Sequence, residues 1–486
     1  MLPAVKPTTT DIRYICLSDM HLGDEDSLLT SLRSDRYECD QNRASPVLVE
    51  LVACLKDLVA QNTGTQKPTL ILNGDILELA FASYGESLSM FEQLIKLVAS
   101  PGQEIFDEII FLPGNHDHHI WEVARETQFV NQVLRRHRGG GLPPPMHTTQ
   151  MQLKSSVPSF LLNQILRHAR DVAPDSPVDY SLKIIYPNLA LVSDDGEKAV
   201  VVHHGHYTEP LFRIVSRLRR KLFPESHPPA TVAELEAENF AWIDFVWSVL
   251  GRSGQAGSHA EMLYKKLQYP EHVEEFVDDL ASRIASTTDI PFVPGDWMET
   301  KLLRALFSHV AKKIQGDRRS ADPEAISDEI AEGLKDYLFR LTYRQMSDEL
   351  GAMPSELTFI FGHTHKPFEK NFTDPFDRSV GVYNTGGWAV DSASARVGHG
   401  AAIALISANL DVANLRVYDE LGAMDGTNII RVVQTDNPSQ DAQDFESELS
   451  LRLAKSAPLW ESYSRHTAEA AAMRRQHLHS MFVGNK

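Results

Sequence analysis

Cysteine and long apolar runs are both scarce in this chain. Its 486 residues contain three cysteines, at positions 16, 39 and 54, with no CxxC pair. This odd count indicates neither a disulfide framework nor a thiolate zinc site, and it favours a reducing compartment. No apolar run approaches the length of a membrane-spanning helix, and residues 1–10 carry no apolar leader. We therefore expect a cytoplasmic protein whose contact with a membrane would be peripheral.

Phosphate-binding loops and nucleophile motifs are also missing. The sequence has no GxxxxGKS or GxxxxGKT motif, no GxGxxG after a strand, and no Ser or Cys nucleophile motif. Acidic residues outnumber basic ones: the chain has 66 Asp and Glu and 47 Lys and Arg, which gives a net charge of -19. This charge disfavours broad binding to nucleic acid or to an anionic membrane.

The chain instead carries an alternation of strand-like and helix-like segments. Its first third predicts strands at 11–17, 69–73 and 108–113, with helices at 46–59 and 90–98 between them. Residues 135–145 hold three glycines and three prolines and are predicted to form a loop. Further strands are predicted at 188–192, 199–202, 357–361, 380–384, 401–406 and 415–418, the first two as a hairpin. The alternation of strands and helices in the first third of the chain is typical of βαβ units.

A mainly helical insertion interrupts the strands at residues 211–348. Apolar residues recur at helical spacing in 240–250, 272–284, 301–314 and 326–341. Beyond residue 428 the chain is polar and then helical at 445–453, which we interpret as an appendage rather than a core element. Because 486 residues are too many for one compact core, we expect two or three domains or large insertions.

Residue types that bind metal ions follow five of the strand-like runs. The clusters are Asp19-Met20-His21, Gly74-Asp75-Ile76-Leu77-Glu78, Gly114-Asn115-His116-Asp117, His203-His204-Gly205-His206 and Gly362-His363-Thr364-His365. Side chains two apart at a strand end point the same way, so Asp-x-His can present two ligands together. Carboxylate, amide oxygen and imidazole suit borderline divalent metals. Five such clusters in this order predict a two-metal site.

These clusters resemble, in order, the DxH, GDxxD/E, GNH, His-Gly and GHxH motifs of the calcineurin-like metallophosphoesterases. The resemblance covers about residues 11–206 and 355–420. It implies an α/β fold, a four-layer α-β-β-α sandwich of two mixed sheets, here with a large, mainly helical insertion. We predict a discontinuous core at 11–206 and 350–425, a helical cap at 207–349 and a C-terminal helical appendage at 426–486.

The resemblance also implies how the ligands are shared between two divalent metal ions. It makes Asp19, His21 and His365 ligands of one metal. Asn115, His204 and His363 would bind the other, and Asp75 would bridge both. Manganese is the expected metal, with iron, zinc, cobalt or nickel as alternatives. The chemistry implied is attack on phosphorus by a hydroxide that bridges the two metals.

Two more residues are expected to act in catalysis. His116 directly follows a metal ligand and is the candidate to donate a proton to the leaving oxygen. Related phosphoprotein phosphatases hold this histidine with a carboxylate three residues after the bridging Asp, which here is Glu78. An acidic partner raises the pKa of an imidazole and fixes its orientation.

The closing motifs resemble a subgroup, the UDP-2,3-diacylglucosamine diphosphatases of lipid A synthesis. The resemblance lies in residues 361–367 (FGHTHKP) and 383–388 (YNTGGW) and in the Glu of GDxxE. The chain departs from that subgroup in having His116 where the subgroup has Arg, and in a far larger insertion. The reaction class follows from the shared motifs, whereas the substrate does not.

Four residues are candidates for substrate contact: His206, Arg213, Asn384 and Trp388. Each has a structural alternative. His206 could instead support a metal ligand, and the glycines beside Trp388 could simply mark a turn. Arg213 belongs to a basic, apolar segment at 211–223. This segment either contacts a phosphorylated or lipid substrate or a membrane surface, or packs as an ordinary surface helix.

We therefore predict a metal-dependent phosphohydrolase that cleaves a phosphoester or pyrophosphate bond of a small or lipid-linked substrate. One alternative is a non-catalytic interaction module on the same fold, which is disfavoured because no ligand of the motif set is missing. The other is a nuclease, which the net charge of -19 disfavours.

Overall fold

The fold is taken from a computed structural model, which describes residues 9–33, 36–136, 139–173, 180, 182–248, 326, 328–390, 392–425 and 430–483. The helices predicted at 272–284 and 301–314 lie outside the described residues. In chain order the strands are β1 Ile12–Leu17, β2 Thr69–Asn73, β3 Glu108–Leu112, β4 Val157–Pro158, β5 Leu182–Ile184, β6 Asn188–Val192, β7 Lys198–His203, β8 Glu356–Phe361, β9 Phe368–Thr373, β10 Ser379–Asn384, β11 Gly400–Ser407, β12 Val412–Asp419 and β13 Arg431–Val433.

Two mixed sheets contain these strands. The larger sheet has the order β13-β12-β11-β1-β2-β3-β5-β4, and the smaller has the order β6-β7-β8-β10-β9. β1, β2, β3 and β5 are parallel to one another, whereas β11 pairs with β1 in the antiparallel direction. In the smaller sheet β7, β8 and β10 are parallel. The predicted strands and the predicted 188–202 hairpin are confirmed within a few residues.

The described helices cover the outer faces of both sheets. The first six α-helices are α1 Pro46–Ala60, α2 Tyr84–Val98, α3 His118–Gln128, α4 Phe160–Ala169, α5 Ile214–Leu222 and α6 Val232–Ile243. The remaining described α-helices span Asp328–Lys335, Tyr343–Leu350, Glu420–Asp425, Gln440–Lys455 and Ala457–Val483. Among the described residues, none of the helices combines the length and apolar character needed to cross a bilayer.

Three clusters of buried apolar side chains hold the layers together. Between the sheets, Ile71 of β2 and Ile110 of β3 share one cluster with Val200 of β7 and Ile360 of β8. A second cluster joins the outer face of the larger sheet to α1 and α2, and a third joins the outer face of the smaller sheet to the cap. The predicted four-layer α-β-β-α sandwich is therefore confirmed.

Strand β2 shows why a parallel strand at this position is continuously apolar. All five of its residues are buried. Ile71 faces the cluster between the sheets, while Leu70 and Leu72 face the helices on the other side. Each face of the strand thus meets an apolar layer, as expected for a parallel strand covered on both sides.

Helix α2 begins earlier than its apolar spacing predicts. The prediction began at residue 90, whereas the helix begins at Tyr84. Ser83 caps it, since its hydroxyl accepts the Glu86 N–H and the Glu86 carboxylate accepts the Ser83 N–H. This capping box satisfies two backbone donors that the first turn would otherwise leave without partners.

The C-terminal helices pack into the core, unlike the appendage that the sequence led us to predict. Phe445, Leu449, Trp460 and Tyr463 are buried in the same cluster as the residues of α1. Arg474 is fully buried and donates to the backbone carbonyl of Thr30 over 2.9 Å and to that of Ser27. The sequence also missed strand β13, which pairs with β12 and extends the larger sheet.

The described ends of the insertion are helical, as predicted. Helix α6 continues as a wider π-helical turn at Asp244–Ser248, and the helix Asp328–Lys335 continues in the same way at Asp336–Thr342. The predicted helix at 240–250 therefore begins earlier, at Val232. The domain boundaries at 207, 350 and 426 stay predictions, since the central part of the insertion lies outside the described residues.

Candidate metal centre

The five sequence clusters converge because each follows the carboxyl end of a strand. β1, β2 and β3 lie side by side in the larger sheet, and β7 and β8 lie side by side in the smaller one. Ligands in α/β sheets commonly collect beyond the carboxyl ends of the strands. The ends of β1 and β8 are joined directly, since the His363 N–H donates to both carboxylate oxygens of Asp19 over 2.9 and 3.0 Å.

The first group of donor atoms belongs to Asp19, His21 and His365. Their ligand atoms all lie within 4.8 Å of one another. The Nε2 atoms of His21 and His365 are 3.1 Å apart, and His365 Nε2 is 3.6 Å from Asp19 Oδ1. The structure thus brings together the three residues that the sequence assigned to one metal.

The second group contains Asp75, His204 and His363, whose ligand atoms also lie within 4.8 Å of one another. His204 Nε2 is 3.1 Å from Asp75 Oδ2 and 3.1 Å from Asn115 Oδ1. The four residues predicted for this side therefore lie close together. Two carboxylates, an amide and imidazoles across the two groups are the donors that borderline divalent cations prefer, so the residues fit such a cation.

Five of these residues have a backbone conformation that L-residues rarely adopt. Their φ angles are 50° at Asp19, 45° at His21, 51° at Asp75, 69° at His363 and 53° at His365. A positive φ costs free energy at a residue other than glycine, and such residues cluster at functional sites. The surrounding structure holds each of these five residues at a positive φ, and this backbone conformation directs the side chain toward the metal centre.

Glycine is required beside two of the ligands because their side chains approach the backbone closely. A Cβ atom at Gly114 would lie 2.3 Å from Asp75 Oδ1, and one at Gly362 would lie 2.1 Å from Asp19 Oδ2. No side chain could occupy either position without displacing the carboxylate. The glycines of the GNH and GHxH motifs thus make room for the ligands.

Asp117 braces the centre, a role that the sequence analysis did not assign. This fully buried carboxylate accepts the N–H groups of Gly114 over 2.6 Å, Ile76 over 2.8 Å and Leu77 over 3.1 Å. Burial and the nearby charge of Asp75 raise the pKa of Asp117 to about 6. Asp117 therefore ties the turn after β2 to the turn after β3.

Glu78 holds His116 as predicted from the sequence, and it holds His21 as well. Its Oε1 lies 2.8 Å from His116 Nδ1, and its Oε2 lies 2.8 Å from His21 Nδ1. The N–H groups of Ala80 and Phe81 donate to Oε1 over 2.9 and 3.0 Å. Burial opposes the charge of Glu78, but the charge of His116 and the hydrogen bonds from both histidines lower its pKa to about 2.

The histidines of the centre compensate for buried negative charge. Burial disfavours an imidazolium, yet the hydrogen bond and charge of Glu78 raise the pKa of His21 to about 10. The charge and hydrogen bond of Asp75 similarly raise the pKa of His204 to about 9 against its burial. The buried negative charge that raises these two pKa values also favours a bound divalent cation, so the electrostatics of the centre fit cations.

The four candidate substrate residues are buried or engaged in structural contacts. Arg213 pairs with Asp336, while the Asn384 amide donates to the Gly362 carbonyl over 2.7 Å. Trp388 is fully buried, and His206 is fully buried among His203, Tyr207 and Phe212. Their substrate roles stay predictions, and the contacts that the structure does show are ones that support the fold.

Aromatic side chains line the centre on the side of the cap. The ring of Trp247 lies 6.0 Å from that of His116, and the ring of Phe81, in the loop after β2, lies 5.4 Å from it. Phe212 packs edge-on against His363 at 5.0 Å and contacts Trp247 at 5.3 Å. The cap thus covers the candidate acid and one candidate ligand with apolar rings.

A buried carboxylate in the cap, Glu236, anchors α6 to the start of α3. Glu236 Oε1 lies 2.8 Å from His118 Nε2, and its Oε2 accepts the Tyr186 hydroxyl over 2.9 Å and also the Tyr207 hydroxyl. Burial opposes the charge on His118, but Glu236 and Asp244 raise its pKa to about 9. His118 lies two residues after His116, so this contact fixes the cap next to the candidate acid.

Replacing Glu236 with Ala is expected to lower the free energy of unfolding by about 3–5 kcal/mol. The change leaves the hydroxyls of Tyr186 and Tyr207 and the His118 imidazole buried without their acceptor. Urea denaturation of both proteins measures the difference. The matched control is Glu238→Ala on the same helix. Glu238 pairs with Arg219, which is 48% exposed, so loss of this pair should lower the free energy of unfolding by less than about 1 kcal/mol. Equal effects of the two changes would contradict the anchoring role.

Part of the chain matches the model of a known protein family. Residues 12–239 match the family model of the calcineurin-like phosphoesterases. A search of curated proteins found no match. Among solved structures, a dimetal phosphatase from Danio rerio is similar at 11% sequence identity, covering 85% of this chain and 97% of that one, with a TM-score of 0.27. We infer nothing from a structural likeness with so low a TM-score.

Proposed function

We propose that this chain, whose residues 12–239 match the family model of the calcineurin-like phosphoesterases, is a metal-dependent enzyme that hydrolyses a phosphoester or pyrophosphate bond at a two-cation centre. The observation that carries this proposal is the meeting of five strand ends, where two groups of donor atoms each lie within 4.8 Å. The proposed substrate is a phosphorylated small molecule or lipid-linked compound. The proposed location is the cytoplasm.

We assign the two cations to the two groups of side chains. Asp19, His21 and His365 would hold one cation, as their mutual distances allow. Asn115, His204 and His363 would hold the other, and Asp75 would be shared. Manganese is the proposed cation, with iron, zinc, cobalt or nickel as alternatives that the same donors accept. When bound, such a pair lowers the pKa of water and neutralises charge on the phosphate oxygens.

His116 is the proposed proton donor to the leaving oxygen. Its Nδ1 is held by Glu78, which leaves Nε2 as the atom that faces a leaving group. The His116 N–H donates to Asp75 Oδ1 over 2.8 Å, so the backbone of the acid is tied to the shared ligand. Burial lowers the pKa of His116, but the charges of Glu78 and Asp75 outweigh it and raise this pKa overall. The imidazolium form needed by a general acid is therefore stabilised.

The cap supplies the walls of the reaction site. The ring of Trp247 in the cap lies 6.0 Å from the His116 ring and that of Phe81 in the core lies 5.4 Å from it, so both would limit the access of water to a leaving group near His116. Exclusion of water strengthens the electrostatic interactions on which phosphoryl transfer depends. The Ser248 hydroxyl donates to the His116 carbonyl over 3.1 Å, so the cap also holds the acid's backbone.

The experiment that tests this function is hydrolysis by metal-stripped protein before and after refilling with Mn²⁺. The substrates are p-nitrophenyl phosphate, bis-p-nitrophenyl phosphate, a panel of UDP-sugars and single-stranded DNA. We expect turnover that requires the cation, and the preferred substrate distinguishes monoester, diester and pyrophosphate chemistry. Metal-free protein as active as the refilled protein would contradict the proposal, and a preference for DNA would favour the nuclease alternative.

A further inference from the structure

Two histidines of the proposed centre share one arrangement of their ring nitrogens. His21 turns Nε2 toward His365, 3.1 Å away, and its Nδ1 is held by Glu78 at 2.8 Å. His204 turns Nε2 toward Asp75, 3.1 Å away, and its Nδ1 is held by the Asn73 carbonyl at 3.1 Å. Each ring thus presents one nitrogen to the centre and has the other oriented by an oxygen atom.

His363 has an oxygen partner of the same kind, and it belongs to Glu209. His363 Nε2 lies 3.2 Å from Glu209 Oε1, and the two side chains are 9% and 12% exposed. One ring nitrogen of His363 lies within 4.8 Å of the ligand atoms of Asp75 and His204. With Nε2 in contact with the Glu209 carboxylate, Nδ1 is the nitrogen available to bind a cation beside them. The arrangement mirrors that of the other two rings with the roles of the two nitrogens exchanged.

We propose that Glu209 is a positioning residue of the metal centre, which orients His363 for the second cation; this inference rests on the proposed function. A carboxylate on the outer nitrogen keeps the proton there and fixes the tautomer of the ring. Glu209 lies outside all five sequence motifs, so neither the motifs nor their spacing indicates it.

The position of Glu209 makes it part of a rigid turn rather than a mobile surface group. Its N–H donates to the His206 carbonyl over 3.1 Å, and its own carbonyl accepts the Phe212 N–H over 3.3 Å. Phe212 in turn packs edge-on against the His363 ring at 5.0 Å. One short segment after β7 therefore supplies both Glu209, which contacts Nε2 of His363, and Phe212, which packs against the His363 ring. The same segment leads directly into α5 of the cap.

The test measures cation binding to metal-free protein by calorimetric titration with Mn²⁺, for wild type, Glu209→Gln and Glu209→Ala. We expect the wild type to bind two cations and both variants to bind one of them about 10–100-fold more weakly. Gln keeps the shape and an oxygen acceptor, so its effect should be the smaller. The control is Glu356→Gln, which removes a carboxylate that is 67% exposed and should change neither affinity. Thermal unfolding of the metal-free proteins separates a positioning effect from a loss of fold.

Three outcomes would overturn the assignment. Unchanged affinity for both cations in both Glu209 variants, with a normal wild type, would overturn it while leaving the proposed function intact. Complete loss of one cation in Glu209→Gln, with normal unfolding of the metal-free protein, would make Glu209 a direct ligand instead. A wild type that binds no cation would contradict the proposed function, and the assignment of Glu209 with it.

Discussion

Replacing Asp75 with Asn should lower kcat/KM by about 1,000-fold. A carboxylate shared by two cations contributes several kcal/mol of charge stabilisation, and about 4 kcal/mol corresponds to this factor. Asn keeps the size of the side chain and its oxygen toward the His116 N–H, so the backbone contact can survive. The loss should therefore come from weaker cation binding, measured as fewer Mn²⁺ ions bound per chain together with the fall in turnover.

A second aspartate with the same backbone conformation provides the control for this experiment. Asp377 has a φ of 59°, close to the 51° of Asp75, but it is exposed in the turn between β9 and β10. Asp377→Asn should leave both turnover and bound Mn²⁺ unchanged. If Asp75→Asn kept full activity as well, Asp75 would not be the shared ligand, and the assignment of the centre would fail.

Replacing His116 with Gln should lower kcat by about 100- to 10,000-fold, the range typical of a lost general acid. Bound Mn²⁺ should stay at the wild-type amount, because in our assignment His116 supplies no ligand. The loss should be smaller for p-nitrophenyl phosphate than for an alkyl phosphate, since a good leaving group needs less help from a proton donor. The measurement is kcat for both substrates together with the metal content of the purified variant.

The control variant for His116 is His168→Gln, which changes a histidine that is 78% exposed on α4. It should not change kcat. Loss of bound cation in His116→Gln would show that His116 is a ligand and that the acid role is wrong. An equal loss of kcat for both substrates would also count against proton donation to the leaving group.

The sequence predicted the elements around the centre because ligands and strands are adjacent in the chain. Asp19 follows the last residue of β1 by two positions, and Asp75 follows the last residue of β2 by two positions. A run such as Leu70-Ile71-Leu72 that ends in Gly-Asp is readable within a single window. The arrangement of the strands in two mixed sheets was implied only by the family resemblance.

The groups that support the ligands could not be predicted in this way, because their partners are distant in the chain. Glu209 contacts His363 across the whole insertion, and Glu78 reaches His21 from 57 positions away. The local sequence pattern does not distinguish these two glutamates from other acidic residues as partners of His363 and His21. One signal was local and was missed: Ser83 followed by Glu86 is a capping box that marks the true start of α2.

The C-terminal helices show a different limit of sequence reasoning. Their apolar residues are diluted among Ala, Arg and His, so the segment appeared too polar for a core element. The structure buries Arg474 with its guanidinium on backbone carbonyls of the loop after β1. A buried arginine of this kind is indistinguishable from an exposed one in the sequence, because its partners lie more than 400 residues away.

The measurement that tests the central claim most directly is a titration of metal-free protein with Mn²⁺, followed by electron paramagnetic resonance. Two cations that share Asp75 would lie about 3.5–4 Å apart, close enough for their spins to couple. We predict two equivalents bound per chain and a spectrum dominated by a coupled pair, with the coupling lost in Asp75→Asn. A single equivalent, or two equivalents that give only the spectrum of isolated ions, would contradict the shared two-cation centre.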